Sequence, residues 1–477
     1  MTSLIETPPA TLLVSREITT GEELGSVELS APDRVASAGR RAAAAAPGWA
    51  DTPAEERAGI VERAAGLLQA RAQQAQDLLV REGGAIPGKA YFEVLAAAAE
   101  MRHGARLARE SGAVDTATAT ATDDPTRTAR VTRVPLGVIG VIVPWNFPLL
   151  LGMRSVGPAL ALGNAVLLKP DPHTPLSGGR LFTEVFAEAG LPPGVLEVVH
   201  GDAETGAALV RAPDVAMVSF TGSTEVGREI GAACGRLLKR AVLELGGQNA
   251  FVVLDDVDVE QAAGAGSWGS FLHQGQICMS ARRHLVHASI AEEYTEALAR
   301  HAAALRIGDP YRSDAQLGPI IDHRQLTTVA NAVEQAVAQG ARLVTGGRPR
   351  PPYYPPTVLA DVTEQMDVFH TEVFGPVATV TAFTDDADAV RLANTSDHGL
   401  TAAVYTGDSV RGEAVGRLLR CGVTHIGDQT VVQDAALPFG GIGASGNGSG
   451  FGGQASLEAF TRWRTLTTST PPRTYPF

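Results

Sequence analysis

Lysine is nearly missing from this chain. Lys and Arg total 39 in 477 residues, and only Lys89, Lys169 and Lys239 are lysine. Cysteine is as scarce, with Cys234, Cys278 and Cys421 alone. Three thiols cannot all pair with one another and their spacing suits no zinc site, so a disulfide framework is excluded and a reducing cytoplasm is the expected compartment. Net positive charge is lacking too. At −13 the chain is a poor ligand for phosphate, so no nucleic acid and no anionic membrane surface is expected as a partner. No apolar run reaches the ~18 residues that span a bilayer, and the N-terminus lacks the basic and apolar regions of a secretory signal. No H-E-x-x-H occurs, and His103, His273, His284 and His287 lack ligand spacing, so no metal is expected and these histidines read as structural or solvated.

What is present is a 44% hydrophobic chain, able to bury a large core. Its length suits about three units, or two large ones. Residues 1–30 read as extended. Helices are expected over 33–46, with Asp33 as N-cap, over 52–81, opening on a Thr52-Pro53 capping box, and over 87–110. Residues 114–128 read as a polar strand or excursion. From 134 to 253 short apolar strands (137–143, 165–169, 195–199, 215–220, 241–243, 250–253) alternate with helices, the pattern of a parallel, doubly wound sheet. A second alternating run, 258–427, predicts another α/β unit with helices at 291–305, 323–339 and 386–393 and strands at 377–383, 401–405 and 423–426. Residues 349–356, with Tyr353 and Tyr354, read as a surface loop, and 440–453 as an irregular Gly-rich segment.

Several short motifs carry chemistry. Gly275-Gln276-Ile277-Cys278-Met279-Ser280 holds a thiol 34 positions after Glu244, itself in Leu243-Glu244-Leu245-Gly246-Gly247. A thiol and a carboxylate in glycine-rich settings suit covalent catalysis followed by water attack; the bland alternative is a buried cysteine acting as a small hydrophobe. Thr221-Gly222-Ser223 follows a strand and opens a helix, a place either for a pyrophosphate or for an ordinary N-cap. Lys169 ends a strand at the sheet edge where ligands bind, or snorkels at the surface. In Pro144-Trp145-Asn146-Phe147-Pro148 two prolines restrict the backbone around an amide that can serve an oxyanion or an Asx turn. Glu372 precedes a strand and can accept from a sugar's hydroxyl pair, or remain a solvated loop carboxylate.

Together these motifs resemble the NAD(P)-dependent aldehyde dehydrogenase superfamily over nearly the whole chain. PWNFP at 144–148, LLKP at 167–170, FTGST at 220–224, ELGG at 244–247, GQICMS at 275–280, EVFGPV at 372–377 and PFGG at 438–441 occur in the family's order. The resemblance implies an α/β fold of three parts: a Rossmann-like cofactor domain (1–114 and 136–247), a catalytic domain (248–440) and a small β oligomerisation element (115–135 and 455–477). The last would include a strand at 457–467. It implies a homodimer or homotetramer, NAD or NADP as cofactor, and a small-molecule aldehyde as substrate. Cys278 is the implied nucleophile, Asn146 with the Cys278 N–H the oxyanion site, and Glu244 the base that activates water. Lys169, Trp145, Gly222, Ser223, Glu372 and Phe374 are the implied cofactor contacts. Phe147, Leu150, Met101 and Phe439 are the implied lining of an aldehyde tunnel.

Departures from the family pattern are informative. The position three residues after Lys169, commonly Glu in NAD-preferring members, holds Pro172; this admits a 2′-phosphate and makes NADP acceptable, with Asp171 able to fold back toward the ribose. Gly427-Asp428 follows Ile426 where many relatives have Asn. The Gly440-to-Gly446 form, Asp171-Pro172 and Met153-Arg154-Ser155 are similar to the benzaldehyde dehydrogenase branch, so an aromatic aldehyde is the expected substrate. Arg154 stands where relatives often carry a bulky aromatic, to meet a substrate carboxylate or hydroxyl or to make a structural ion pair. The alternatives are a dehydrogenase for aliphatic or semialdehyde substrates, a coenzyme A-acylating relative, and a non-catalytic relative.

Overall fold

The computed structural model describes residues 11–113, 120–121, 124 and 126–477. The apolar strands expected from 137 to 243 form one five-stranded parallel sheet. Its order is Leu196–Val198, Ala165–Lys169, Val138–Ile142, Val215–Thr221 and Arg240–Glu244. Every residue of Ala165–Lys169 is buried, as a strand covered on both faces must be. The chain runs outward from Val138–Ile142 on one side, then crosses back to build the other side from Val215–Thr221. That reversal opens a crevice beyond the carboxyl ends of the strands. Trp145-Asn146, Lys169, Gly222-Ser223 and Glu244 all emerge along this one edge.

The second sheet has seven strands, in the order Arg342–Thr345, Thr357–Ala360, Val377–Phe383, Ala281–His287, Asn249–Val253, Thr401–Tyr405 and Val423–Ile426. All neighbours are parallel except the first pair. Two expectations are corrected here. The strand expected at 250–253 as part of the first alternating run lies in the middle of this second sheet, because an all-apolar strand fits either buried sheet equally well. Ala281–His287, unpredicted, lies beside it and is buried although Arg282, Arg283 and His284 interrupt its apolar pattern.

Thr461–Ser469 pairs antiparallel with Arg127–Pro135, which pairs in turn with Thr120–Ala121. The strand expected at 457–467 therefore starts later; 457–460 complete the helix Gly453–Phe460. Residues 114–119, 122, 123 and 125 of the expected polar segment lie outside the described residues. Of the extended N-terminus, Leu12–Arg16 and Glu23–Glu28 form a hairpin, and 1–10 lie outside the described residues.

The first expected helix is Pro32–Asp51. Asp33 sits within its first turn rather than capping it. The expected 52–81 helix is two, Ala54–Ala70 and Ala72–Gly83, broken at Arg71, whose side chain pairs with Glu184 and Glu188. No capping box forms there; the Thr52 hydroxyl donates to Gly48 O at 3.0 Å. The 349–356 segment is not wholly superficial, since Tyr354 is buried in the core of the second sheet. Pro87–Ala113 packs against Pro148–Ala161 so closely that a side chain at Gly104 would collide with the Pro158 backbone. Two apolar clusters border each large sheet.

Candidate active site

Cys278 sits in the loop between the turn Leu272–Gly275 and the strand Ala281–His287. The turn is contorted: His273 and Gln274 both have left-handed φ, 52° and 58°. Gln274 offsets part of that strain by donating to Gly84 O (3.1 Å) and Pro319 O (2.9 Å). Every carbonyl from 275 to 280 is bound by a side chain. Arg282 donates to Gly275 O and Ile277 O, Asn146 to Gln276 O, Asn249 to Cys278 O and Ser280 O, and Thr430 to Met279 O. With its carbonyls bound, the loop leaves the Cys278 N–H without an acceptor among the described residues. The packing needs glycine opposite, since a Cβ at Gly247 would run into Cys278 O.

Glu244 ends the strand Arg240–Glu244 and bridges Gly446. Its carbonyl accepts from Gly222 N–H at 3.1 Å, so that amide ties the ends of two strands together. Its side chain is only 3% exposed, and neither carboxylate oxygen has a hydrogen-bond partner among the described residues. Burial holds its pKa well above the ordinary value, with Arg154 partly offsetting. Cys278 is half-buried, yet its dense surroundings push the thiol up to about 12, against the pull of Arg154; Glu372 and Glu244 push it up further, and Arg282 opposes them. Cys278 and Glu244 are thus within electrostatic reach of each other.

Asn146 is buried, its amide donating to Gln276 O at 2.8 Å, which aims it at the Cys278 loop. Its own carbonyl accepts from Lys89 at 2.7 Å. Glu372 accepts from Gly247 N–H (3.2 Å) and from Arg282 (3.3 Å), in space that a side chain at Gly246 would fill. Trp145 and Phe374 meet edge to face at 5.7 Å, which joins the loop after the first sheet strand to the Glu372 loop. Lys169 is buried with one long contact, to Pro170 O at 3.3 Å. Asp171 does not fold back on it; its carboxylate accepts from the His173 N–H at 2.9 Å and meets His173 Nδ1 at 2.7 Å, which holds the imidazole above its ordinary pKa. Ser223 Oγ caps its helix by accepting from Val226 N–H at 3.4 Å.

Phe147 and Leu150 share a small apolar cluster with Leu151 and Ile277, next to Met279 and Val431. Phe439 is buried under the Arg154 guanidinium at 4.7 Å. Arg154 pairs with Glu100 at 3.5 Å, the structural alternative for this residue. Met101 is not brought to this group. It has no exposure and belongs to the main core, where its backbone packs against Gly157.

Three residues of the site were not singled out from the sequence. Lys89, fully buried, donates to Glu93 and stands 3.8 Å over the Phe147 ring. Glu93 accepts from Leu149 and Leu150 N–H, so it also caps the helix that follows Asn146. Arg282 links the Cys278 loop to the Glu372 loop. The signals existed: a rare lysine four residues before a glutamate, and paired arginines directly after the cysteine motif.

Comparison with known proteins agrees with this geometry. The profile of the Aldehyde dehydrogenase family matches residues 8–466. The chain is 47% identical to a vanillin dehydrogenase of Amycolatopsis sp., over 97% of this chain and 94% of that one. It is 45% identical to a benzaldehyde dehydrogenase [NAD(+)] of Pseudomonas putida, over 96% and 93%. Its structure resembles that of a salicylaldehyde dehydrogenase from Pseudomonas putida G7 complexed with salicylaldehyde. There the TM-score is 0.93 at 32% identity, covering 98% of this chain and 96% of that one.

Proposed function

Because the chain belongs to the aldehyde dehydrogenase family, we propose that it oxidises an aromatic aldehyde of benzaldehyde type to the carboxylic acid, with Cys278 as nucleophile. The observation that carries this reading is the pairing of a loop whose carbonyls are all bound away from Cys278 with a buried, unpartnered carboxylate at Glu244.

The Cys278 thiolate attacks the aldehyde carbon and forms a tetrahedral thiohemiacetal. The Asn146 amide and the Cys278 N–H face its oxyanion; a donor of this kind is worth ~10²–10³ in rate. A nicotinamide cofactor, when bound, supplies the hydride acceptor. Loss of hydride from the tetrahedral carbon leaves a thioester on Cys278. Glu244 then takes a proton from water as the water oxygen attacks the thioester carbonyl. Collapse breaks the carbon–sulfur bond, releases the acid and restores the thiolate. Burial raises the Glu244 pKa, which makes it a stronger base than a solvated carboxylate.

The residues present fit a dinucleotide: the buried Lys169 ammonium has donors to spare beyond its one long contact to Pro170 O, and glycine at 246 leaves Glu372 the space it occupies. Lys169, Gly222 and Ser223 would hold the adenosine and pyrophosphate side, and Trp145, Phe374 and Glu372 the nicotinamide side. We read the cofactor as NADP, with NAD also accepted. Pro172 removes the carboxylate that repels a 2′-phosphate, and Asp171 is occupied by His173. A 100-fold advantage for NAD in kcat/KM, on the order of 2.7 kcal/mol, would end the NADP reading.

The apolar cluster around Phe147 and Leu150 supports an aromatic ring as substrate, as do the names of the relatives. The units 1–114 with 136–247, 248–440, and 115–135 with 455–477 are kept as proposed domains. A homodimer or homotetramer is proposed through the last of these, whose Trp463 and Leu466 stand exposed. Three unpaired thiols support a cytoplasmic setting. The test is NADPH or NADH absorbance on adding benzaldehyde, lost in Cys278→Ala. Free acid as product upholds the Glu244 role, whereas an acyl-coenzyme A product would replace it.

A further inference from the structure

Arg282 is 2% exposed and stands four residues after the nucleophile, in the centre of the second sheet. A guanidinium has five N–H donors in a fixed plane, and here each has an acceptor. Nε donates to Gly247 O (3.1 Å). Nη1 donates to Gly275 O (3.3 Å) and Val373 O, and Nη2 to Ile277 O (2.8 Å) and Glu372 Oε1 (3.3 Å). These acceptors lie on three separate segments: the turn that follows Glu244, the loop that carries Cys278, and the loop that carries Glu372. We propose that Arg282 is the positioning residue of this site: one planar cation that sets the Cys278 loop in register with the Glu244 and Glu372 loops. The proposal rests on the reading of Cys278 as nucleophile.

Two physical points make the cation more than packing. Burying a guanidinium is costly unless all its donors are met, so the three loops cannot separate without leaving N–H groups unpaired. Its charge also acts on the sulfur, together with those of Arg154, Glu372 and Glu244. Lysine would keep the charge but loses the planar fork and two of the five donors. Methionine would lose both.

The test uses the full-length protein as Arg282→Lys and Arg282→Met, with Arg283→Lys as a matched control. Arg283 is equally buried but donates to Gln248 O, Leu392 O and Ala393 O, away from the nucleophile loop. Arg282→Lys is expected to alkylate with iodoacetamide at Cys278 on a pH profile close to the parent's, while kcat falls about 10²-fold, the cost of a misplacement near 1 Å. Arg282→Met is expected to alkylate about tenfold more slowly at neutral pH, a one-unit upward shift. Arg283→Lys is expected to leave the alkylation profile in place. If both Arg282 variants alkylate and turn over like the parent, or if Arg283→Lys produces the same losses, the proposal is overturned. Should Arg282→Met not fold, Arg282→Lys decides by the same kcat criterion. Cys278→Ala separates the two readings: an active alanine variant sinks the nucleophile assignment itself, whereas an inactive one leaves the Arg282 variants to test the positioning role alone.

Discussion

Replacing Glu244 with glutamine changes charge and basicity while keeping shape. Neither carboxylate oxygen holds a hydrogen bond among the described residues, so no protein contact is lost with it. The carboxylate also pushes the Cys278 pKa upward, so its removal does not hinder thiolate formation. Acylation and hydride loss should proceed, and only attack by water should stall. A general base contributes ~10²–10⁴ in rate, or about 3–5 kcal/mol of barrier. Mixed rapidly with aldehyde and cofactor, Glu244→Gln should give one equivalent of reduced cofactor per site, then a steady rate lower by that factor. A time course with no burst would refute the division of labour between Cys278 and Glu244. So would a steady rate within tenfold of the parent, which the lower bound of that range excludes.

The same substitution has a signature in stability. Because burial raises the Glu244 pKa above its ordinary 4.5, the folded state binds more protons than the unfolded state above that pH. Stability is therefore lost as pH climbs from 4.5 toward the folded pKa, by about 1.4 kcal/mol for each unit of the rise. Glutamine carries no such cost. The thermal midpoint of Glu244→Gln should exceed the parent's by a margin that widens as pH rises from 4.5 toward the raised Glu244 pKa; a constant or shrinking margin contradicts the assigned shift.

Other outcomes follow from the same contacts. Lys89→Met strips a buried carboxylate of its cation and Asn146 O of its donor. Urea unfolding should show a loss of about 3–5 kcal/mol, and a value under about 1 would mean that the pair is not a compensated buried one. Gly246→Ala drives a methyl into Glu372; the Kd for reduced cofactor, read by fluorescence titration, should weaken at least about tenfold, or about 1.4 kcal/mol, and unchanged binding argues against Glu372 as a cofactor contact. Benzaldehyde should give a higher kcat/KM than acetaldehyde or succinic semialdehyde, and the reverse order rejects an aromatic substrate.

Much of this protein was legible one residue at a time. The proposed catalytic trio and the strand ends near it were marked by local signals, namely continuous apolar strands, a carboxylate before paired glycines, prolines around an asparagine and a thiol among small residues, while their roles came from the resemblance. Those signals are encoded within a few positions of each residue and survive without coordinates. The apolar pattern alone did not decide which sheet owns Asn249–Val253, because equal hydrophobicity suits either core. Met101 went to the main core rather than to Phe147, since helix packing against Gly157 determines its surroundings. Lys89 and Arg282 were not singled out from the sequence. Folding brought Asn146 O to the one and Gly247, Ile277 and Glu372 to the other, across separations that no periodicity spans. Charges can be buried only where distant partners converge on them, and that convergence is a property of the tertiary structure alone.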